Sequence, residues 1–248
     1  MVRWVKGMAV VAAVVFSSGV YAQEKHCRVE LSGGADIVSN YMWRGLREAG
    51  ISIQPQMSLS AGGFALKAWG SSAFASEAYR EMDLSISYDF GPVMLSVADI
   101  YCVSPAGVKK ENYGYFNYRK GSPHRIEAGI KWCISQKVPL TLSWYTTLFG
   151  GSDYTVGGNR VYASYFEVSY PFSFKEIDLK AGIGIVPWNA YGEYGIDRDF
   201  YVQDLFLNAE RSWPVKGLPG LEFAIFTAVS WNPALADVNF TGGFSFRM

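Results

Sequence analysis

The sequence predicts an all-β fold, an antiparallel up-and-down transmembrane β-barrel of about twelve strands, an even number so that both ends meet on one side. The first observation behind this is the segment Val238 to Met248. Val238, Phe240, Gly242, Phe244, Phe246 and Met248 fall on one face of an extended strand, and Asn239, Thr241, Gly243, Ser245 and Arg247 on the other. Such a strand needs an apolar surrounding on one side and a polar one on the other, which lipid and lumen supply. The second is composition: the chain is 50% hydrophobic and 16% aromatic, yet its apolar residues alternate with polar ones in place of forming long runs. The third is a sorting of the links between strands into long and short.

The one apolar run lies at the start. Met1 to Ala22 carries Arg3 and Lys6, then Met8 to Phe16, then small residues, and reads as a signal peptide cut after Ala22. That leaves 23–248 as a single barrel domain. The 22 basic and 22 acidic side chains balance, so neither nucleic acid nor an acidic surface is implied as a partner. Cys27, Cys102 and Cys133 show no metal-ligand spacing, and Cys102 and Cys133 end successive strands at opposite ends of a hairpin, too far apart to bridge. No cofactor is expected.

In chain order, Val29 to Trp43 is read as one long strand with Val29, Leu31, Ala35, Ile37, Tyr41 and Trp43 opposite Asp36, Asn40 and Arg44. The second strand sets Ile53, Pro55, Met57 and Leu59 against Gln54 and Gln56. Gly62 and Gly63 turn it into a third, Phe64 to Ser71, containing Lys67. The fourth opposes Met82, Leu84, Ile86, Tyr88 and Phe90 to Glu81, Asp83 and Asp89. In the fifth, Val93 to Val103, Asp99 shares its parity with Val93, Leu95 and Val97, so its facing is open. The sixth, His124 to Ile134, carries Arg125, Glu127 and Lys131 opposite Ile126, Ile130 and Trp132. Val138 to Leu148, Val161 to Tyr170 and Ile177 to Ile185 follow, the last with Asp178 and Lys180 opposite its apolar residues. Tyr201 to Arg211, Leu221 to Trp231 and Val238 to Met248 complete the set, the final strand closing onto Val29 to Trp43.

Odd-numbered links tend to be long and even-numbered ones short, the asymmetry of outer-membrane barrels, which places both termini in the periplasm of a Gram-negative cell. Tyr41, Trp43, Tyr88, Phe90, Trp132, Trp144, Tyr170 and Trp231 fall near strand ends, where aromatic girdles meet headgroups.

The stretch Gly34 to Leu46, with Ser39-Asn40-Tyr41-Met42-Trp43-Arg44-Gly45, resembles the opening strand of the TorF-type porin family. Gly63-Phe64, Ala68-Trp69-Gly70-Ser71 and Glu81, Asp83 and Leu84 are similar to further segments of that family. The resemblance covers most of 23–248 and implies an outer-membrane barrel and a pore, without an established substrate.

The candidate lumen residues are Asp36, Asn40, Arg44, Gln54, Gln56, Lys67, Glu81, Asp83, Asp89, Arg125, Glu127, Lys131, Asp178, Lys180 and Arg247. They suit a polar path screening small solutes by size and charge, or an ion-paired filling of a narrow bore. The expected function is therefore a narrow porin-like diffusion channel. The alternative is a non-conducting barrel that binds through its external loops, such as the basic and aromatic Lys109 to Lys120. An enzyme is not expected: the outer-membrane phospholipase and lipid A deacylase patterns place a serine two residues after the histidine, whereas Ile126 stands two after His124, and Glu81 and Asp83 share a face as any lumen strand would give. The partners implied are outer-membrane lipids and lipopolysaccharide, small solutes, and the barrel-assembly machinery, whose clients the last strand resembles apart from ending in Met248.

Overall fold

The computed structural model describes residues 28–74, 79–103, 114–119, 122–150, 153–154 and 158–248. Met1 to Ala22, Cys27 and half of the Lys109 to Lys120 loop lie outside them. Within them the chain forms β1 (Val29–Val38), β2 (Tyr41–Trp43), β3 (Leu46–Ala49), β4 (Ser52–Ala61), β5 (Phe64–Ala73), β6 (Arg80–Asp89) and β7 (Val93–Val103). Then come β8 (His124–Cys133), β9 (Thr141–Gly150), β10 (Ser164–Phe174), β11 (Ile177–Val186), the short helix α1 (Tyr191–Tyr194), β12 (Tyr201–Pro214), β13 (Glu222–Asn232) and β14 (Asp237–Arg247). All but β2 and β3 join one closed antiparallel barrel of twelve strands in chain order.

Closure runs through β1 and β14, in the register Gly34↔Arg247, Asp36↔Ser245 and Val38↔Gly243. Gly33 and Met248 exchange two further backbone bonds, at 3.0 and 2.8 Å. Pairing every wall strand on both sides leaves no backbone edge facing lipid, where an unsatisfied amide costs several kcal/mol. The alternation decides the faces. Val29, Leu31, Met57, Phe64, Ile86, Phe240 and Phe244 are exposed on the outside, while Gln54, Glu81, Glu127, Ser143, Ser169, Asp204, Ser230 and Ser245 are buried within. A wall apolar outside and polar inside is that of a transmembrane barrel.

Val29, Met248 and the turns at Gly62-Gly63, Gly91-Pro92, 134–140, Lys175-Glu176 and 215–221 share one end, and the other end holds the longest links together with the short turn 233–236. At the turn end Gly91, with φ +97°, receives the Asp89 carboxylate on its N–H at 2.6 Å. Aromatic contacts follow this rim: Phe64 on Tyr88 at 4.4 Å, Tyr88 on Phe90 at 4.5 Å and Phe223 on Phe246 at 5.2 Å.

Two sequence expectations need correction, and one left open is decided. The first strand stops at Val38, because Ser39 and Asn40 turn their side chains to β14: the Ser39 hydroxyl accepts from the Gly242 N–H at 3.0 Å, and the Asn40 amide donates to the Phe240 carbonyl at 2.9 Å. Tyr41 and Trp43 therefore leave the wall and belong to no girdle. β10 runs on through Pro171 to Phe174; beyond Ser169 it has no β9 residue opposite, so a residue without an N–H costs the ladder little. In β7, Asp99 faces outward with Leu95 and Val97, since Asp83↔Ile100 and Ser85↔Ala98 place the even residues inside. Cys102 and Cys133 are both free.

The two faces should respond differently to charge. Leu207→Arg, on the lipid side of β12, is expected to lower the unfolding free energy by about 2–4 kcal/mol, while the inward Ser60→Arg, opposite Glu30, costs a fraction of that. Urea titration of the barrel folded into vesicles checks both.

Candidate functional site in the barrel lumen

The link between β1 and β4 does not project outward; its β2–β3 hairpin folds into the barrel mouth. Arg44 and Gly45 make its tip, both with positive φ (48° and 76°), the geometry of a tight two-residue turn. Glycine is required at 45 on two counts, because a Cβ there would also overlap the Gln203 carbonyl of β12. Arg44 occupies a conformation that costs a side-chain-bearing residue roughly 1–2 kcal/mol, and its contacts hold it there.

Those contacts reach a strand nearly opposite β1 in the ring. The Arg44 guanidinium donates to both oxygens of Glu127 on β8, each at 2.8 Å, and to the Tyr194 hydroxyl at 3.3 Å. It also lies 4.6 Å from the Tyr145 ring and 4.9 Å from the Tyr165 ring. Arg and Glu side chains are only 11% and 8% exposed, so the pair is withdrawn from bulk water. Trp43 stacks on Tyr194 of α1 at 5.6 Å, and the Arg125 guanidinium sits 4.6 Å from Trp43 while pairing with Glu193 of α1. On the other flank the Tyr41 hydroxyl donates to Glu81 at 3.1 Å, and Tyr79 donates to the same carboxylate. The Asn232 amide donates to the Gly45 carbonyl at 3.3 Å.

A small apolar core completes this latch. Ala163, Tyr165, Val186, Ala190, Tyr194, Ile196 and Tyr201 bury one another in the mouth and receive Trp43 and Leu46 from the hairpin. The loop end of the bore is thereby filled. Below it lies a cavity of about 480 Å³, roofed by Asn40 to Gly45 and reaching down to the Arg247–Glu210 ion pair, whose two bonds measure 2.5 and 2.7 Å.

The cavity stays open because its aromatic rings rest on glycines of adjacent strands. Phe206 lies against Gly182, Phe226 against Gly243 and Tyr165 against Gly184, each so close that a Cβ on the glycine would overlap the ring. Without those glycines the rings would occupy the bore.

The sequence-derived candidates are distributed as follows. Asp36, Gln54, Gln56, Lys67, Glu81, Asp83, Arg125, Glu127, Lys131, Lys180 and Arg247 carry the inward parity. Gln54 donates to Ser71 at 3.3 Å, and Lys180 pairs with Glu167 at 3.1 Å. Arg44 reaches the lumen centre from the hairpin and not from the β1 wall. Asn40 ties the loop end to β14. Asp89 caps a turn, and Asp178, exposed at the turn end, accepts from Ser173 at 2.8 Å. Sequence reasoning missed Tyr165, Glu167, Asp204, Phe206, Glu210 and Phe226; their even spacing on β10, β12 and β13 was the available signal. It also missed Glu193 and Tyr194, which sit in a loop without periodicity.

His124 lies outside the bore. Its ring is fully buried on the outer wall, with Nδ1 2.7 Å from Asp99 and Nε2 2.5 Å from the Tyr115 carbonyl, and Tyr118 stacks on it at 4.0 Å. Both nitrogens are thus engaged, neither of them by Ser122.

Fold and lumen together define a membrane-spanning β-barrel whose first loop folds inward as a constriction. No family model matches the chain, and no curated protein matches it either. Among solved structures it is similar to one described as "Unveiling the Mechanism Behind the in-meso Crystallization of Membrane Proteins", with TM-score 0.41, 8% identity and coverage of 88% of this chain and 83% of that one. It is also similar to the porin OprD of Pseudomonas aeruginosa, with TM-score 0.33, 12% identity and coverage of 88% of this chain and 65% of that one. At scores this low neither neighbour bears on what the chain does.

The latch should behave as a buried ion pair. Arg44→Met, which strands the Glu127 carboxylate, is expected to cost about 3–5 kcal/mol, and adding Glu127→Leu should recover most of it; unfolding followed by tryptophan fluorescence measures both. Glu48 on β3, outside the wall strands, supplies a pH dependence. Burial, and next the Glu81 carboxylate, push its carboxyl from 4.5 up to about 7, against the pull of Arg125. The folded hairpin thus holds a proton that the unfolded chain releases, so this contribution is full below 4.5 and is lost as pH rises through about 7. The melting temperature should fall across that window in the native protein and fall measurably less in Glu48→Gln.

Proposed function

We propose that the protein is an outer-membrane barrel forming a narrow diffusion channel for small solutes, with the β2–β3 hairpin as its constriction. The observation that carries this reading is the cavity of about 480 Å³ directly beneath the hairpin, lined by charged and aromatic side chains. A barrel that served only as a scaffold could fill this space with side chains; here glycines are placed so that the rings stay against the wall. Charged groups around the constriction then screen what enters. Export by the Met1 to Ala22 segment, assembly through the aromatic last strand, contact with lipopolysaccharide at the loop end and periplasmic termini belong to the same proposal.

The second reading, a non-conducting barrel acting through its external loops, is favoured by the packed core that closes the mouth around Tyr194. Planar bilayers separate the two. Under the channel reading the native protein gives small, infrequent steps, and Arg44→Ala gives larger or longer ones because the hairpin is unlatched. Silence from both proteins, each shown to be folded by heat-modifiable migration, would leave the non-conducting reading.

A further inference from the structure

The carboxylates lining the cavity are unequally compensated. Glu210 is held by Arg247 and Glu167 by Lys180, but Asp36 on β1 and Asp204 on β12 make no ion pair among the described residues. One Asp36 oxygen is buried without a hydrogen-bond partner, and Asp204 receives the Ser230 hydroxyl at 2.6 Å. Lys67 and Arg247 lie in the field of Asp36 without forming an ion pair with it, and Arg247 is already bound to Glu210. Burying carboxylates without an ion-pair partner is costly, and a cation in the cavity would offset that cost. β14 and β13 separate β1 from β12 in the ring, so the two carboxylates face the cavity from different parts of the wall, and the space between them is lined by aromatic and hydroxyl groups as well.

An independent feature points to the same ligand. The Thr241 side chain on β14 lines the cavity, is only 6% exposed and has no partner for its hydroxyl. Phe226 and Trp69 present aromatic surface to the same space. The neighbouring ring already serves a cation, since the Lys180 ammonium lies 5.2 Å from the Phe206 centroid.

We propose that the lumenal cavity is a binding site for a small organic cation, an ammonium or quaternary ammonium with a short apolar body and a hydroxyl. Asp36 and Asp204 supply the negative field that holds its charge, Phe226 and Trp69 wall its apolar part, and Thr241 bonds its hydroxyl. The inference rests on the lumen being the working surface of the barrel.

Choline is the probe, with 3,3-dimethyl-1-butanol as its uncharged counterpart of the same shape. Both are titrated calorimetrically into the purified full barrel in detergent. Choline is expected to bind at least about tenfold more tightly than the alcohol, a difference of one decade in Kd. Asp36→Asn and Asp204→Asn should each weaken choline by a similar factor while leaving the alcohol unchanged; both variants keep the side-chain shape and remove a buried charge, so neither should impair folding. Thr241→Val, nearly isosteric, should weaken choline and the alcohol together. Equal binding of the two probes, no binding of choline, or unchanged choline affinity in the doubly neutralised barrel overturns the inference. A barrel that conducts yet ignores choline refutes this site alone, and one that binds choline without conducting refutes the channel alone.

Discussion

Everything in this molecule depends on the closing of β1 onto β14. A sheet in lipid tolerates no free edge, because its amides find no water to replace a missing strand. Closure fixes the register of the ring, and the register fixes which side chains meet across the bore. Asp36 comes level with Ser245, and Gly34 with Arg247, only because the first and last strands pair as they do. The lumen's chemistry is thus a product of backbone satisfaction before it is one of side-chain attraction.

The packing of the protein is inverted relative to a water-soluble domain. Its outside is apolar and needs no jigsaw fit, since lipid chains adapt to it. Its buried groups are mostly hydroxyls, amides and carboxylates, which require partners. Close apolar packing occurs instead in the mouth, where Tyr165, Val186, Tyr194 and Tyr201 form a core from loops and strand ends. That core gives the hairpin something to bind, and Arg44 adds direction: a planar, bidentate group can meet Glu127 in few orientations. Apolar burial holds the loop inside, and the ion pair decides how it sits.

The wall was legible because period-two alternation is the physical requirement of a strand between lipid and a polar bore. Val238 to Met248 and Glu81 to Phe90 show it, and the structure keeps their facing residue by residue. The hairpin was not legible, because Tyr41 and Trp43 continue the odd-numbered apolar pattern of β1. A two-faced segment reads the same whether one face meets lipid or a lumenal core, and only Ser39 and Asn40, through bonds to a distant strand, mark where the chain departs. α1 escaped notice for a simpler reason: Glu193 and Tyr194 act through position, and a single helical turn has no period to detect. Asp99 shows the converse limit. A carboxylate on a lipid-facing parity looked like a conflict of register, and the buried His124 beside it resolves the conflict by supplying a partner.

The rings seated on glycines bear on how such a sequence can change. Phe226 with Gly243, and Phe206 with Gly182, each behave as one heritable unit spread over two strands. Losing the glycine first drives the ring into the bore, and losing the ring first leaves a hollow at the wall. Only a paired exchange is neutral, so the width of the bore depends on a coupling between positions far apart in the chain and adjacent in the sheet.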